Sequence, residues 1–592
     1  MTDSSGVIRE TVEGRVDRVL FSNEENGWCV VRLSTDDAPK MTAIGPLLGV
    51  RPGDDLRLSG RWVTHDTYGE QFEAASYVQV APSTEQGLRR FLGSGKVRGL
   101  GPKRAALIVE RFGLDALEVL DSEPERLLEV RGIGPATLER ITDSWEKHRG
   151  IQQIMVFLTG HGVAPGIAVK AFRRYGPAAV DVVRANPYRL AEEVFGVGFL
   201  TADRIARHLG MPGDAPERIE AGLLHSLGEA AGQGHVFLPE EALLETAKGL
   251  LDVNEAMLAD ALSRLLAGRR VEVRARDNDT AAVFLPHLAD AEASVAFDLG
   301  ELLRRPAAGQ PIIVNTAIAW YQGRAGIRLA PRQRDALVAA LTRKAAVITG
   351  GPGTGKTTLI RGIVEILDRK NMSVALAAPT GRAAKRLSEA TGVGATTLHR
   401  LLEFNPRTRG FVRNRDLPIV ADCIIIDEVS MLDIELAAAL VAAVPPTSRL
   451  LLVGDADQLP SVGPGNVLAD LIASEALPVV RLDRIFRQAR QSQIVENAHR
   501  VNQGNVPKID NLEDGDFFFA ERDDPSQAAD VVIDFAARRI PKRFDLDPLK
   551  DIQVLAPMHR GELGVSRLNQ RLQDELTPKG RELVVGWRRF RV

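Results

Sequence analysis

Ala345-Ala346-Val347-Ile348-Thr349-Gly350-Gly351-Pro352-Gly353-Thr354-Gly355-Lys356-Thr357 is the stretch on which the fold turns. Its first four residues are apolar and read as a buried strand. The remainder fits G-x-x-x-x-G-K-[ST], a pattern that carries chemistry only where a strand leads into it and a helix leads out. In that setting the backbone N–H groups of the glycine-rich loop cradle phosphate oxygens. Lys356 would neutralise the β and γ oxygens, and the Thr357 hydroxyl would hold Mg²⁺. The expected nucleotide contacts are therefore Gly350, Gly351, Pro352, Gly353, Thr354, Gly355, Lys356, Thr357 and the adjacent Thr358. From Ala345 onward, short apolar runs alternate with helical patterns, which predicts an α/β domain with a parallel sheet and crossover helices.

Two later strands supply the rest of such a site. Ile424-Ile425-Ile426 ends in Asp427-Glu428, so a buried strand delivers two carboxylates at its C-terminal end. Asp427 suits the Mg²⁺ shell and Glu428 suits activation of an attacking water. Leu450-Leu451-Leu452-Val453 ends in Gly454-Asp455-Ala456-Asp457-Gln458-Leu459-Pro460, where Gln458 is placed to sense the γ-phosphate. An isolated Asp-Glu pair is usually a solvated turn. Three isoleucines before it and a phosphate loop upstream reverse that preference.

Outward toward the N-terminus the pattern changes twice. Residues 11–80 show about five β-like runs separated by turn clusters such as Pro52-Gly53-Asp54, fitting a small barrel of the oligonucleotide-binding type. Beyond Glu85 the chain reads as helical and a phrase recurs: Gly99-Leu100-Gly101-Pro102, then Gly132-Ile133-Gly134-Pro135, then a weaker Gly196-Val197-Gly198-Phe199. These phrases resemble tandem helix-hairpin-helix modules, in which glycines permit positive φ and close approach to a phosphate, and the next helix start faces the anion. Gly99, Gly101, Gly132 and Gly134 are the candidate DNA contacts. Residues 216–325 read as a helix-rich, winged-helix-like linker without evident chemistry.

Bulk properties exclude other classes. A chain of 592 residues with 44% hydrophobic and 26% charged residues accommodates roughly three to five domains. Its net charge of -3 announces no global positive field, so basic residues serving a nucleic acid must be gathered locally. Two distant cysteines, Cys29 and Cys423, support neither a disulfide framework nor a zinc site. The opening MTDSSGVIRE lacks a basic-then-apolar leader, and the apolar run Leu436–Val444 is too short to span a bilayer. A cytoplasmic, monomeric protein without a membrane partner is the expectation.

Taken in order, the motor phrases resemble superfamily-one helicases, and within them the RecD-like branch with a long N-terminal extension. Ala330-Pro331-Arg332-Gln333 is similar to that family's adenine-reading motif, with Gln333 as the glutamine. Ala378-Pro379-Thr380-Gly381-Arg382-Ala383-Ala384 resembles the first DNA-contacting motif, where Thr380 would meet a phosphate, and Thr396-Thr397-Leu398-His399 resembles the next, giving Thr397 and His399. Ile485-Phe486-Arg487-Gln488-Ala489 is similar to the segment whose arginine, here Arg487, reaches the γ-phosphate from a second motor domain. Ala556-Pro557-Met558-His559-Arg560-Gly561 also fits. The resemblance implies ATP and Mg²⁺ as cofactors, with Lys356, Glu428, Gln458 and Arg487 catalytic. It further implies 5′-to-3′ movement on single-stranded DNA, action at single-strand/duplex junctions in repair or recombination, and single-strand-binding or other repair proteins as partners. A hairpin over residues 402–418, with Phe404 and Phe411 flanking a Pro/Gly turn, corresponds to the pin that splits the duplex in the family.

The expected division is a barrel at 1–82, the hairpin array at 83–215, the linker at 216–325, motor domain one at 326–480 and a partial motor domain two at 481–592. Family members continue past the point matching Val592, with a small SH3-like insertion, a Lys-Ser-Gln-Gly motif and a final arginine motif. None is found here, so the second parallel sheet is expected to be incomplete and unwinding by this chain impaired. The competing reading is a DNA-structure binder that holds ATP without productive unwinding.

Overall fold

The computed structural model describes residues 10–591 apart from 23–27, 36–39, 46, 48–49, 51, 53, 66–68, 80–84, 94–96, 161–164, 277–279, 308–311, 485–491, 512–514, 579 and 586–587. The chain forms two compact units, Met1–Gly228 with Leu238–Val283, and Glu229–Phe237 with Phe284–Val592.

The first unit begins with a closed barrel of β1 (Glu10–Ser22), β2 (Cys29–Ser34), β3 (Met41–Gly45), β4 (Asp55–His65) and β5 (Gly69–Gln79), in the order β1-β2-β3-β5-β4. Alternate residues enter its core: Cys29, Val31 and Leu33 from β2, Met41 and Ala43 from β3, Leu56 and Leu58 from β4, Phe72 and Ala74 from β5. This is the period-two pattern that one buried face imposes. Closure also requires a residue without a side chain at Gly60, where a Cβ would lie 2.1 Å from the Glu73 carbonyl oxygen.

Three helices of this unit, Pro102–Phe112, Pro135–Gly160 and Phe199–His208, each follow the same tight turn. Leu100 N donates to Val97 O, Ile133 N to Val130 O and Val197 N to Val194 O, each at 3.1 Å. The third turn residue is a glycine with φ of 98° (Gly99), 90° (Gly132) and 89° (Gly196), as a type II turn demands. Val97, Val130 and Val194 point inward, as do Leu100, Ile133 and Val197. The third copy, weakest in sequence, thus has the geometry of the first two. Residues 216–325, expected as one linker, are shared between the units. Helices Pro216–Gly232, Glu240–Leu251 and Glu255–Ala267 accompany a small sheet of β6 (Phe237–Pro239), β7 (Glu272–Ala275) and β8 (Ala281–Phe284) in the order β6-β8-β7.

The second unit is built on six parallel strands: β9 (Ala345–Gly350), β10 (Val374–Ala378), β11 (Ala395–Thr397), β14 (Cys423–Ile426), β15 (Arg449–Gly454) and β16 (Val479–Leu482). Their order is β11-β10-β14-β15-β9-β16. The hairpin strands β12 (Phe404–Asn405) and β13 (Gly410–Phe411) stand apart from it. The continuous apolar runs follow from burial on both faces. Val347, Ile424, Ile426, Leu450 and Leu452 point to one side, packing with Leu288, Val295, Ile434 and Leu440. Ala346, Ile348, Cys423, Ile425, Leu451 and Val453 point to the other, packing with Tyr321, Leu337, Ile360 and Ile363. Helices Pro286–Leu303 and Val314–Ala325 therefore close the motor core rather than link to it.

Beyond Leu482 the described residues form helices Gln493–Asn502, Pro525–Asp534, Ile540–Phe544 and Val565–Leu576, and an antiparallel pair, β17 (Glu582–Val585) with β18 (Arg588–Arg591). They make no parallel strand pair. Their buried core is small, comprising Ala529, Ile533 and Leu568, while Val506 and Leu555 are 74% and 83% exposed. Among the described residues no helix is long and apolar enough to cross a membrane.

Candidate nucleotide site

Parallel strands deliver their C-terminal ends to one edge of the sheet, where open α/β folds bind ligands. Gly454 of β15 pairs with Thr349 of β9, and Ile426 of β14 pairs with Leu452 of β15. The three polar turns that follow these strands are therefore neighbours.

After β9 the chain forms a tight loop and enters helix Lys356–Asp368. Gly353 and Gly355 have φ of 76° and 85°, a conformation that glycine adopts without strain. A side chain at Gly350 would meet the Leu482 carbonyl oxygen at 2.8 Å and Thr354 Oγ1 at 2.9 Å. Thr354 Oγ1 donates to Gly351 O at 2.8 Å, and Lys356 Nζ donates to Gly350 O and, at 3.2 Å, to Gly351 O. The ammonium is thus held over the loop it serves.

After β14, Asp427 and Glu428 emerge beside it. Burial pushes the Asp427 carboxyl up to about 6; the Glu428 N–H bonded to it opposes this, the Glu428 charge adds to it, and the Lys356 charge opposes it. Glu428 occupies the left-handed region at φ 55°, its N–H donates to Asp427 Oδ1 at 3.0 Å, and its Oε2 is buried without a hydrogen-bond partner. Backbone strain and orphaned polar atoms of this kind collect where function over-determines the geometry. After β15, Asp455 shapes the third turn. It accepts from Asp457 N at 3.1 Å and from Gln458 Nε2 at 3.4 Å, while Ala456 N donates to Thr349 Oγ1 at 3.1 Å.

A cavity of about 280 Å³ is lined by Thr357, Asp427, Glu428, Gln458, Thr380 and Arg382, with Arg386 and Met431 at its wall. The structure so brings Thr357, Asp427, Glu428, Gln458 and Thr380 to one space. Their chemistry fits Mg²⁺, which takes a hydroxyl, one or two carboxylates and phosphate oxygens rather than an all-protein cage. Among the described residues no group of three or more His, Cys, Asp or Glu side chains is placed to hold a metal ion. Gln333 is 4% exposed, and its amide is engaged with protein: Nε2 donates to Thr354 O at 3.1 Å and Oε1 accepts from Ala330 N at 3.2 Å. It braces the phosphate loop from helix Pro331–Thr342.

Thr380 caps helix Gly381–Thr391 by accepting from Ala383 N at 3.3 Å, and Thr397 caps the next turn by accepting from Arg400 N at 3.3 Å. Ala378 pairs with Thr397 across β10 and β11, so the two motifs adjoin. His399 packs against the hairpin, 5.5 Å from Phe404 and 5.7 Å from Phe411, whose rings are 5.4 Å apart. Gly99, Gly101, Gly132 and Gly134 belong to the first unit. Arg487 lies outside the described residues.

Three residues escaped the sequence reading. Arg382 and Arg386 share a face of the helix behind Thr380, and their four-residue spacing was a usable signal. His499 of helix Gln493–Asn502 had none: its Cε1 lies 3.0 Å from where a Gly351 Cβ would stand, and its Nε2 is buried without a partner.

Comparison with known proteins gives the family. Residues 9–82 match the family model for the OB-fold domain of the ATP-dependent DNA helicase YrrC, and 94–147 that for a SAM-like helix-hairpin-helix tandem. Residues 147–237 match the helix-hairpin-helix domain of the ATP-dependent RecD2 DNA helicase, and 328–522 an AAA domain. The ATP-dependent RecD2 DNA helicase of Deinococcus radiodurans is 32% identical over 589 residues, covering 96% of this chain and 79% of that protein. This chain belongs to the RecD2 family of ATP-dependent DNA helicases. The RecD subunit of the RecBCD enzyme from Mycolicibacterium smegmatis is 35% identical over 273 residues, 41% of this chain and 49% of that subunit. Among solved structures, the Pif1 helicase of Candida albicans is 26% identical over 31% of this chain and 46% of that one, with a TM-score of 0.24, too low to bear on the fold. The RecD2 assignment therefore rests on sequence spanning both units.

Proposed function

We propose that this RecD2-family chain hydrolyses ATP with Mg²⁺ at the 280 Å³ cavity and uses the turnover to move 5′-to-3′ along single-stranded DNA, opening duplex ahead of it during repair or recombination. The observation that carries the reading is the convergence of Thr357, Asp427, Glu428 and Gln458 with the DNA-motif residue Thr380 on one cavity. Direction is supported by the resemblance of the motor phrases to the RecD-like branch.

Each residue has a physical task. The loop backbone and Lys356 bind and orient the triphosphate. Thr357 and Asp427 would hold Mg²⁺, which when bound would supply charge neutralisation at the phosphate oxygens. Glu428, whose Oε2 is free of other bonds, orients a water and takes its proton. Gln458, tied back to Asp455, lines the same cavity as Thr380 and would sense the γ-phosphate. Arg382 and Arg386 place two cations at the same wall, and such charges stabilise the negative oxygens of phosphoryl transfer. Thr380, Thr397 and His399 meet the DNA track, and the His399–Phe404–Phe411 cluster ties that track to the hairpin that parts the strands.

The test is ATP hydrolysis with and without single-stranded DNA. Stimulation by DNA in the parent chain, lost in Glu428→Gln while nucleotide binding persists, is the expected result. An amide cannot accept the proton, so undiminished hydrolysis by that variant would remove Glu428 from its role.

A further inference from the structure

Strand β1 of the barrel shifts register against β2 twice, between Val16 and Arg18 and again between Val19 and Phe21. Each shift is a bulge, with Asp17 and then Leu20 as the extra residue on β1. Val16 points into the core, so plain alternation would send residue 18 inward after it. The first bulge instead turns Arg18 out, where it is exposed, and gives the inward place to Val19, which packs against the core. Arg18 then stands directly across from Arg32 of β2. Arg32 lies between the buried Val31 and Leu33, so it faces out as well, and it is exposed.

Like charges in directly opposite positions weaken a strand pair. The barrel avoids that arrangement elsewhere. Among its described residues the other arginines are Arg15, Arg57 and Arg61, and each meets an acid on a neighbouring strand. Arg15 pairs with Asp55 at 2.7 Å, Arg61 with Glu73 at 2.7 Å, and Arg57 with Glu13. Among the described residues Arg18 and Arg32 have neither an ion pair nor a side-chain hydrogen bond. Asp17, next to Arg18 in sequence, accepts from the Ser34 hydroxyl. A bulge that sets two unneutralised guanidinium groups side by side on an exposed face works against the fold unless an anion joins them.

The neighbouring row indicates which anion. Across from Arg32 on its other side is Thr42 of β3. The next outward row, about 7 Å along the strands, is apolar: Phe21 lies across from Val30, and Val30 from Ile44. All three are half-buried. A cationic row beside an apolar one fits a single strand, with its phosphates on the charges and its sugars and bases against the apolar side. A duplex keeps its bases inside and would use the arginines alone.

We propose that the outer β1–β2–β3 face of the barrel is a binding site for single-stranded DNA in the first unit: Arg18 and Arg32 hold phosphates, and the Phe21–Val30–Ile44 row takes the adjoining sugars and bases. This rests on the DNA-helicase reading above.

The experiment uses the full chain without nucleotide. Affinity for a long single-stranded oligonucleotide and for a blunt duplex is measured over a range of salt concentrations. The variants are Arg18→Ala, Arg32→Ala, Arg32→Glu and, as a control that removes a paired arginine, Arg57→Ala. Each of the first two should weaken single-strand binding about fivefold at about 0.1 M salt and make the salt slope shallower by roughly 0.7, the value for one phosphate contact on a single strand. Arg32→Glu should bind more weakly still. It nevertheless places an acid across from Arg18, so the variant should melt no earlier than the parent, which separates a lost contact from a folding defect. Arg57→Ala should keep the parent's affinity and slope, and duplex binding should fall less than single-strand binding in every variant. Unchanged single-strand affinity in the Arg18 and Arg32 variants, the outcome if the face serves an acidic protein, overturns the proposal. So does a loss matched by Arg57→Ala, or an equal loss on duplex. If the parent binds neither DNA, the helicase reading itself fails, whereas a parent that binds single strands indifferently to Arg18 and Arg32 refutes the barrel site alone.

Discussion

Asp427 offers a prediction whose sign and size both follow from the structure. Its carboxyl is raised to about 6, chiefly by burial, from the ordinary aspartate value of 3.8. Between those values the folded chain binds a proton that the unfolded chain has released, so stability falls as pH rises across that window and stays lower above it. The interval corresponds to at most about 3 kcal/mol at neutral pH. Asp427→Asn removes the buried charge. Without Mg²⁺ and nucleotide, the variant's motor unit should therefore outlast the parent's in denaturant at pH 7.5, and the advantage should fade as pH approaches 4. Mg²⁺ with nucleotide should reverse the order, because the cation needs the carboxylate the variant lacks. Protonation should likewise weaken Mg²⁺-dependent nucleotide binding in the parent about tenfold per pH unit below about 6. Monitoring the unfolding transition that Mg²⁺ and ATP displace isolates this unit from the rest of the chain. An Asn variant no more stable at pH 7.5, or Mg²⁺-dependent binding flat between pH 5 and 8, would show that Asp427 is neither strained by burial nor a metal ligand.

Two further perturbations probe separate parts of the motor. Lys356→Ala should abolish hydrolysis and leave DNA affinity unchanged, since among the described residues the ammonium's hydrogen bonds go to the loop carbonyls of Gly350 and Gly351; measurable turnover by the variant contradicts its phosphate role. Replacing Phe404 and Phe411 together by alanine dismantles the packing around His399, and DNA-stimulated hydrolysis should survive while strand separation drops tenfold or more; equal loss of both activities would mean that the cluster only supports the fold.

The parts of the fold legible in sequence were those whose burial leaves a local imprint. Cys423–Ile426 and the run from Leu450 to Val453 are buried on both faces, so they appear as unbroken apolar strands, and the polar residues after them had to lie at the sheet edge. The glycine turns at Gly99 and Gly132 were legible because a type II turn requires positive φ there. Other features depended on contacts between distant segments. Nothing in Pro286–Leu303 or Val314–Ala325 announces that Leu288 and Tyr321 complete the motor core. A cut after residue 325 would therefore strip that core rather than free an N-terminal extension. The placement of His499 against Gly351 leaves no local trace either. The motif identified Gln333, but its hydrogen bonds to Thr354 and Ala330 were legible only in three dimensions.

The central claim, that hydrolysis at the Thr357–Glu428 cavity drives directional unwinding, is tested most directly by strand displacement on duplexes bearing a 5′ or a 3′ single-stranded tail. The parent chain should displace the strand only from the 5′-tailed substrate and only with ATP and Mg²⁺, and Glu428→Gln should bind that substrate without displacing it. Displacement from the 3′ tail, displacement by Glu428→Gln at the parent rate, or no displacement from either tail despite DNA-stimulated hydrolysis would contradict the account.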